Sequence, residues 1–216
     1  MPIKKIRPVT IGQRNISVQD FSDVTTDKPE KSLIISRKNK AGRNGGKIAV
    51  RHQGGGHKKF IREVDFTRSR YDIPATVKSV EYDPNRGARI SLVTYKDGVK
   101  SYVLTPDGMK VGDVIVSSLT EAEILPGNRL PLQKIPVGTT IHSVELAPGK
   151  GGQLGHGAGS RIEFMAIEDD FAVIKLPSGE TRRVPKGCMA TIGSVSNQDW
   201  HLVRWGKAGR MRHRGI

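Results

Sequence analysis

The chain has 216 residues and a large excess of positive charge, with 36 Lys and Arg against 21 Asp and Glu and a net charge of +15. Such an excess favours a nucleic-acid partner, because each phosphate neutralised by a cation releases condensed counterions. An apolar run of roughly 18 residues, which a membrane span requires, does not occur in the sequence. The lone cysteine, Cys188, excludes an internal disulfide framework and multi-cysteine zinc sites.

The first predicted feature is a basic N-terminal arm over residues 1–62. Between residues 37 and 62 the arm contains no acid, and it carries the run Gly54-Gly55-Gly56. Glycine packs no core but lets backbone approach phosphate closely, while neighbouring cations neutralise the charge. A solvated disordered tail is the alternative; we expect an extended arm that orders on RNA. Its candidate RNA-binding residues are Arg37, Lys38, Lys40, Arg43, Lys47, Arg51, His52, His57, Lys58, Lys59 and Arg62.

Short alternating segments after the arm predict two small antiparallel β-barrels, over residues 63–122 and 123–195. In the first barrel, strands are expected at residues 76–82, 88–95, 100–104 and 113–117. Residues 121–128 are expected to form a linker. In the second barrel, strands are expected at residues 140–146, 161–167, 171–176, 181–184 and 190–194. No segment has convincing helical periodicity. The sequence therefore predicts an all-β fold.

A second basic segment follows the barrels, at residues 196–216. We expect Trp200 and Trp205 to anchor this segment on the barrel, with stacking on RNA bases as the alternative. The segment has no acid after Trp200, and its candidate RNA-binding residues are Arg204, Lys207, Arg210, Arg212 and Arg214. Basic extensions therefore bracket a β core whose own charge is close to neutral.

The glycine-rich segments do not match the phosphate-binding motifs of nucleotide-dependent enzymes. Gly46-Lys47 is followed by Ile48, and Ala41 stands where a P-loop needs its first glycine. The loop at residues 148–160 lacks the helix and the spacing of a dinucleotide fingerprint. No paired carboxylates or catalytic triad occur at a usable spacing. We therefore expect a protein that is not an enzyme and that needs no cofactor, metal or small-molecule substrate.

Several motifs follow one another in order over nearly the whole chain. They include Gly54-Gly55-Gly56-His57-Lys58, Glu81-Tyr82-Asp83-Pro84-Asn85-Arg86, Pro148-Gly149-Lys150-Gly151-Gly152-Gln153-Leu154 and Gly206-Lys207-Ala208-Gly209-Arg210. Together these motifs resemble the family of ribosomal large-subunit protein two, in its bacterial and organellar form. The resemblance implies an OB-fold barrel followed by an SH3-like barrel. It also implies large-subunit rRNA and neighbouring ribosomal proteins as partners, and roles in subunit assembly, subunit association and support of the peptidyl-transferase region.

The resemblance also implies individual site residues. Arg86 matches a family arginine implicated in rRNA binding, and Lys150 lies in a family motif. A second family arginine is replaced here, and His156 is the candidate at that place. The family continues past Gly215 into a long glycine- and histidine-rich extension, so the resemblance implies either a separate chain that supplies this extension or a particle that functions without it.

The residues alone leave a second function open, a mobile RNA-binding translation or transcription factor that visits RNA and leaves. Such a factor would not co-sediment with large subunits. The leading interpretation is a structural ribosomal protein, located in the ribosomes of a bacterial cytoplasm or of an organelle matrix, in a mitochondrion or a plastid.

Overall fold

A computed structural model describes residues 3–36 and 41–215. Its strands are β1 (Ile3–Lys5), β2 (Ser17–Gln19), β3 (Ile34–Ser36), β4 (Arg43–Asn44), β5 (Lys47–Ile48), β6 (Phe60–Arg62), β7 (Ala75–Glu81), β8 (Ile90–Tyr95), β9 (Lys100–Leu104), β10 (Val114–Ile115), β11 (Arg129–Pro131), β12 (Thr140–His142), β13 (Ile162–Glu168), β14 (Phe171–Lys175), β15 (Thr181–Pro185) and β16 (Met189–Ile192). The α-helix in the described part is α1 (Ala208–Arg214), and short 3-10 helices cover Ile11–Gln13, Lys31–Leu33, Leu132–Lys134 and Gln198–Leu202.

The first large sheet is antiparallel and four-stranded, in the order β10-β7-β8-β9. Alternation at the start of β7 buries Ala75 and Val77 and exposes Thr76 and Lys78, as one buried face requires. The ladder with β8 shifts register between Val77 and Ser79, which is a β-bulge that bends the strand. Ala75 and Val77 pack with Val93 and Ile115 in one apolar cluster. A second apolar cluster of this sheet contains Tyr102.

The second sheet is six-stranded, in the order β11-β16-β12-β13-β14-β15. Its interior is one apolar cluster in which Phe164 is fully buried and packs with Ile141, Ile162 and Ile174. A register shift between Phe164 and Ala166 bends β13 in the same way. The curvature of both sheets gives the barrel-like shape that the alternating pattern predicted.

Hydrogen bonds join the two sheets directly. An antiparallel bridge pairs Pro106 with Val195, and a parallel bridge pairs Ser117 with Arg129. The Arg68 guanidinium, which is buried, donates to the carbonyl of Gly127 at 2.7 Å. These polar contacts hold one barrel against the other.

The described N-terminal residues pack on β7, on β6 and on the C-terminal segment. Thr25 N donates to the carbonyl of Val80 in β7 at 2.9 Å, and β3 pairs with β6. Ser17 N donates to the carbonyl of Arg204 at 3.0 Å, while Ile16 beside it is buried. The segment that begins the chain therefore lies against the segment that ends it.

The all-β prediction is confirmed, and the expected strands in both barrels are present with small shifts of their ends. The strand expected at residues 140–146 ends at His142, because Ser143 adopts a φ of 49°, which no strand tolerates. The expected linker leads directly into β11, which the sequence did not predict. Helix α1 was also missed, since it buries no residue and so has no apolar period. None of the helices among the described residues has the length and apolar character needed to cross a membrane.

Candidate nucleic-acid interface

The tip of the basic arm is a short exposed hairpin. Strands β4 and β5 pair antiparallel, with Arg43 opposite Ile48, and Arg43 and Lys47 are exposed. Arg51 and His52 follow the hairpin and are also exposed. The remaining candidates of this region, Arg37, Lys38 and Lys40, lie outside the described residues.

The glycine run of the arm lies against the end of helix α1. Gly54 N donates to the carbonyl of Gly215 at 3.0 Å, and His57 N donates to the carbonyl of His213 at 2.9 Å. A Cβ on Gly56 would lie 2.8 Å from the backbone nitrogen of Gly215, so no other residue fits this close approach. The arm and the C-terminal segment therefore meet at their backbones.

This meeting brings cations from the two ends of the chain together. The ammonium of Lys59 donates to the carbonyl of Arg214 at 2.8 Å, and Lys58 beside it is exposed. The rings of His57 and His213 meet edge to face at 4.9 Å. Arg210 and Arg214 extend from the same helix, so the two basic extensions form one continuous cationic surface.

The C-terminal segment is anchored by its tryptophans. Trp200 and Trp205 meet edge to face with ring centroids 5.9 Å apart, and the guanidinium of Arg214 lies 4.2 Å from the Trp205 centroid. Gly87 packs directly on Trp200, since a Cβ there would lie 2.9 Å from the indole. Trp200 therefore has the expected anchoring role, since it packs on Gly87 of the first barrel. Trp205 also lines an open cleft.

The remaining candidates of the C-terminal segment have separate positions. Arg204 is exposed and lines a cleft of about 740 Å³ together with Lys5 and Arg14 of the N-terminal segment. Lys207 precedes α1 as its N-cap residue, and Arg212 is exposed in the last turn. Arg62 differs from all these, because its side chain is buried and its Nη1 donates to the carbonyl of Phe60 at 3.0 Å.

A second patch is built around the ring of Phe66. The imidazole of His156 stacks on this ring, with centroids 4.4 Å apart and an interplanar angle of 18°. The guanidinium of Arg86 lies 5.7 Å from the same ring centroid. The structure therefore brings together two candidates that are 70 positions apart in the sequence, through an aromatic residue that is not among the predicted site residues.

Buried carboxylates position Arg86 directly and the backbone of Phe66 through Arg129. Asp83, which is fully buried, accepts a hydrogen bond from Arg86 Nε at 2.8 Å and one from Asn85 N at 2.9 Å. On the other side, Arg129 donates from Nη1 to the carbonyl of Phe66 at 2.5 Å and from Nη2 to Glu145 at 2.6 Å. These contacts fix the backbone that holds the Phe66 ring.

The glycine-rich loop that contains Lys150 is held by hydrogen bonds to the carboxylate of Glu145. Gly149 N and Gly151 N donate to Glu145 at 3.2 and 3.0 Å, and Gly152 N donates to the carbonyl of Phe66 at 2.9 Å. Lys150 itself is exposed at the turn. The loop thus places one cation beside the Phe66 patch without a cradle for a nucleotide.

His156 acts as a neutral group in this patch. Burial lowers the pKa of its imidazole, and the positive charges of Arg86 and Arg129 lower it further. Its Nε2 lies 3.3 Å from Ser143 Oγ. A histidine whose pKa lies below its ordinary value of about 6.5 is largely uncharged at pH 7, so His156 offers a hydrogen bond and a stacking face rather than a charge.

Three further arginines are buried in the fold, as Arg62 is. Arg68, Arg89 and Arg129 are buried, and Arg89 forms an ion pair with Asp23 at 2.8 Å. No local pattern in the sequence distinguishes these residues from exposed arginines. Within the described ranges, no group of three or more His, Cys, Asp or Glu is placed to hold a metal ion.

Two family models match the chain. The model described as Ribosomal Proteins L2, RNA binding N-terminal domain, matches residues 30–117. The model described as Ribosomal Proteins L2, C-terminal domain, matches residues 125–216. The first match covers the four-stranded sheet and most of the arm, and the second covers the six-stranded sheet and the C-terminal segment. The chain therefore belongs to the ribosomal L2 family and is a structural, RNA-binding protein of the large ribosomal subunit.

Proposed function

We propose that the chain acts without catalysis, as a primary rRNA-binding protein that supports subunit assembly, subunit association and the peptidyl-transferase region. The observation that supports this function best is the meeting of the two basic extensions. Gly54 and His57 bond to Gly215 and His213, so cations from both ends of the chain lie on one surface. A surface of this kind neutralises several phosphates at once and releases their counterions.

The proposed RNA-binding residues fall into two groups that differ in their chemistry. Exposed cations on the arm, the loop and the C-terminal segment supply phosphate contacts, which position RNA without reading its sequence. Arg86 and His156, which both contact the Phe66 ring, supply stacking and hydrogen bonds of the kind that unpaired bases accept, and the charge of Arg86 also neutralises a phosphate. Arg62 contributes to the fold of the arm, because its guanidinium is buried against the carbonyl of Phe60.

The absence of catalysis is supported by the chemistry of the two groups most suited to it. Burial and, after it, the charge of Glu145 raise the pKa of the Cys188 thiol to about 11, so the thiolate is scarce at pH 7. Burial lowers the pKa of His142 to about 4, which leaves it neutral and inaccessible. Neither group has the exposure that a nucleophile or a general base needs.

We also propose the division of the chain into an arm (1–62), an OB-fold barrel (63–122), an SH3-like barrel (123–195) and a C-terminal segment (196–216). The membership of the two large sheets supports it, since β7 to β10 form one and β11 to β16 form the other. The bacterial and organellar form of the motifs supports a ribosome of a bacterial cytoplasm or an organelle matrix. Neighbouring ribosomal proteins complete the proposed partners.

Sedimentation tests this function. A tagged chain is expressed in its own cells or organelles, and the lysate is run through a sucrose gradient at high salt. We expect the chain to follow the large subunit, also after Mg²⁺ is removed to separate the subunits, and to be missing from the small-subunit fractions. Release to the top of the gradient would contradict an integral role and favour a mobile factor.

A further inference from the structure

A cleft of about 410 Å³ opens where the two basic extensions meet, next to the turn that follows β7. Its volume lies in the range of about 300–1,000 Å³ that is typical of small-ligand sites. The residues that line it come from four separate parts of the chain, and Val18 of β2 closes one side. The cleft is separate from the Phe66 patch, since neither Phe66 nor His156 lines it.

The charge of the cleft is uniformly positive. Lys58, Lys59, Arg210 and Arg214 line it, and its described lining contains no Asp or Glu. Arg210, His213 and Arg214 follow one another at the i, i+3, i+4 spacing of a helix, which places them on one face of α1. All three line the cleft. A helix that buries no residue thus turns its charged face toward an empty space.

Aromatic rings stand among these cations. Trp205 lines the cleft with Arg214 stacked on its ring at 4.2 Å from the centroid. Tyr82 lines it as well, and its ring is held by an edge contact to Phe21 at 5.3 Å and by the guanidinium of Arg89 at 5.8 Å. The rings are therefore fixed before a ligand arrives, which lowers the entropic cost of binding.

Flat apolar rings set among cations match the two parts of a nucleotide. Unpaired RNA bases stack on aromatic side chains and on arginine planes, while lysine and arginine neutralise the phosphate. A double helix cannot supply this ligand, because its bases are already stacked within the duplex. A lone anion would leave the rings without a role.

We propose that this cleft binds one unpaired nucleotide of large-subunit rRNA. The base stacks on the planes of Trp205, Arg214 or Tyr82, and Lys58 and Arg210 contact the flanking phosphates. The inference rests on the proposed rRNA-binding function and adds a site that recognises single-stranded RNA. It also assigns Trp205 and Tyr82 a role in binding beside their role in packing.

Tryptophan fluorescence reports on the site directly, because the chain has two tryptophans and they contact each other beside the cleft. The full-length Trp200→Phe variant leaves Trp205 as the only emitter. We expect a nine-nucleotide oligouridylate to quench its emission saturably, and a duplex RNA with the same number of phosphates to leave the emission unchanged at equal occupancy. Equal quenching by both probes would overturn the proposal.

Two substitutions in this background sharpen the test. Tyr82→Leu removes a ring, and Arg210→Gln removes a charge from a helix that buries no residue, so the second variant remains informative if the first one misfolds. We expect each to raise the oligouridylate concentration for half-quenching by about tenfold, in line with the loss of one stacking or charge contact. The matched control is Arg182→Gln on β15, which is exposed and does not line the cleft. Identical titrations for all three variants would also overturn the proposal.

Filter binding of deproteinised large-subunit rRNA to the same samples distinguishes rRNA binding by the whole chain from binding in the cleft. If the rRNA binds and Trp205 emission does not change, the cleft assignment is overturned and rRNA binding stands. If the rRNA does not bind, the proposed function fails and the cleft assignment fails with it.

Discussion

Arg129 and Glu145 form a fully buried ion pair at the junction of the two barrels, with 2.6 Å between Nη2 and Oε1. The same carboxylate accepts hydrogen bonds from backbone nitrogens of the glycine-rich loop, and the same guanidinium donates to the carbonyl of Phe66. One pair of residues therefore fixes the relation of the barrels, the Lys150 loop and the Phe66 patch. None of these links is visible in the spacing of the two residues along the chain.

Replacing Arg129 by Met should strongly destabilise the fold. The substitution leaves the Glu145 carboxylate buried without its cation, and a buried charge that has lost its partner typically costs about 3–5 kcal/mol. Urea unfolding at pH 7 measures this loss. The control is Lys134→Met, which removes an exposed ion pair with 3.9 Å between the ammonium and Glu121. The control should change the free energy of unfolding by less than about 1 kcal/mol. Equal effects of the two substitutions would contradict the role given to Arg129.

Replacing Arg86 by Gln should weaken rRNA binding and reduce its salt dependence. A lost phosphate contact lowers the slope of log affinity against log salt by about 0.7–0.9. Asp83 keeps the hydrogen bond from Asn85 N, so the turn retains a partner for its buried carboxylate. Phe66→Leu is the matched comparison, because it removes the stacked ring and no charge. That variant should lose affinity at an unchanged slope, and an unchanged slope for Arg86→Gln would argue that this arginine serves only the turn.

The protein should lose stability as the pH falls below about 6.5. Burial lowers the pKa of His142 to about 4, whereas the unfolded chain binds this proton near pH 6.5. The unfolded state therefore gains protons first, and unfolding becomes easier by about 1.4 kcal/mol per pH unit between these two values. The lowered pKa of His156 acts in the same direction.

Urea unfolding at pH 7.5 and at pH 5.0, where most carboxylates remain ionised, measures the effect of His142. The expected loss is roughly 2 kcal/mol. His142→Gln keeps an amide that can donate to the carbonyl of Gly193, which lies 2.7 Å from the imidazole Nδ1 in the native protein. The loss should be smaller in this variant. The same loss in both proteins would show that other groups cause it.

Cys188 should be unreactive in the folded protein. Its side chain is fully buried, and burial raises the pKa of its thiol to about 11. A disulfide reagent such as dithiobis(nitrobenzoate) should react with one thiol per chain in 6 M urea and with almost none at pH 7.5 without denaturant. Fast reaction of the native protein would contradict this burial.

The fold was largely predictable because strand alternation and turn chemistry are local. The pair Asp97-Gly98 is typical of a tight hairpin turn, and the strands expected on either side of it pair as β8 and β9, with Thr94 opposite Lys100. The parts that were missed depend on distant contacts. Strand β11 is short, and its register is set by pairing with β16. These two strands are the first and the last of the second barrel in the sequence. Helix α1 is polar, and its last residues contact the glycine run of the arm.

The charges of the candidate site were predictable from the sequence, whereas its rings were predictable only in part, because Trp205 was considered for base stacking and Phe66 and Tyr82 were not. Clusters of Lys and Arg are visible in a sequence, so the arm and the C-terminal segment stood out. Phe66, Tyr82 and Trp205 owe their positions to backbone contacts that no local pattern encodes. Burial also divides the arginines in a way that the sequence does not show, since Arg62 lies in the interior while Arg43 is exposed.

The basic extensions are expected to hold the chain on rRNA through phosphate contacts. The salt dependence of rRNA binding is the most direct measurement of these contacts. Affinity of the full chain for deproteinised large-subunit rRNA is measured from low to high salt, beside a triple variant with Arg43, Lys47 and Arg51 changed to Gln. The matched control changes Lys175, Arg182 and Arg183 on β14 and β15 to Gln and removes the same charge.

We expect a steep slope for the native chain and for the control, and a slope lower by about 2–3 for the triple variant, at about 0.7–0.9 per phosphate. Equal slopes for the two triple variants would show that the salt dependence does not depend on where the cations lie on the protein. That result would contradict the claim.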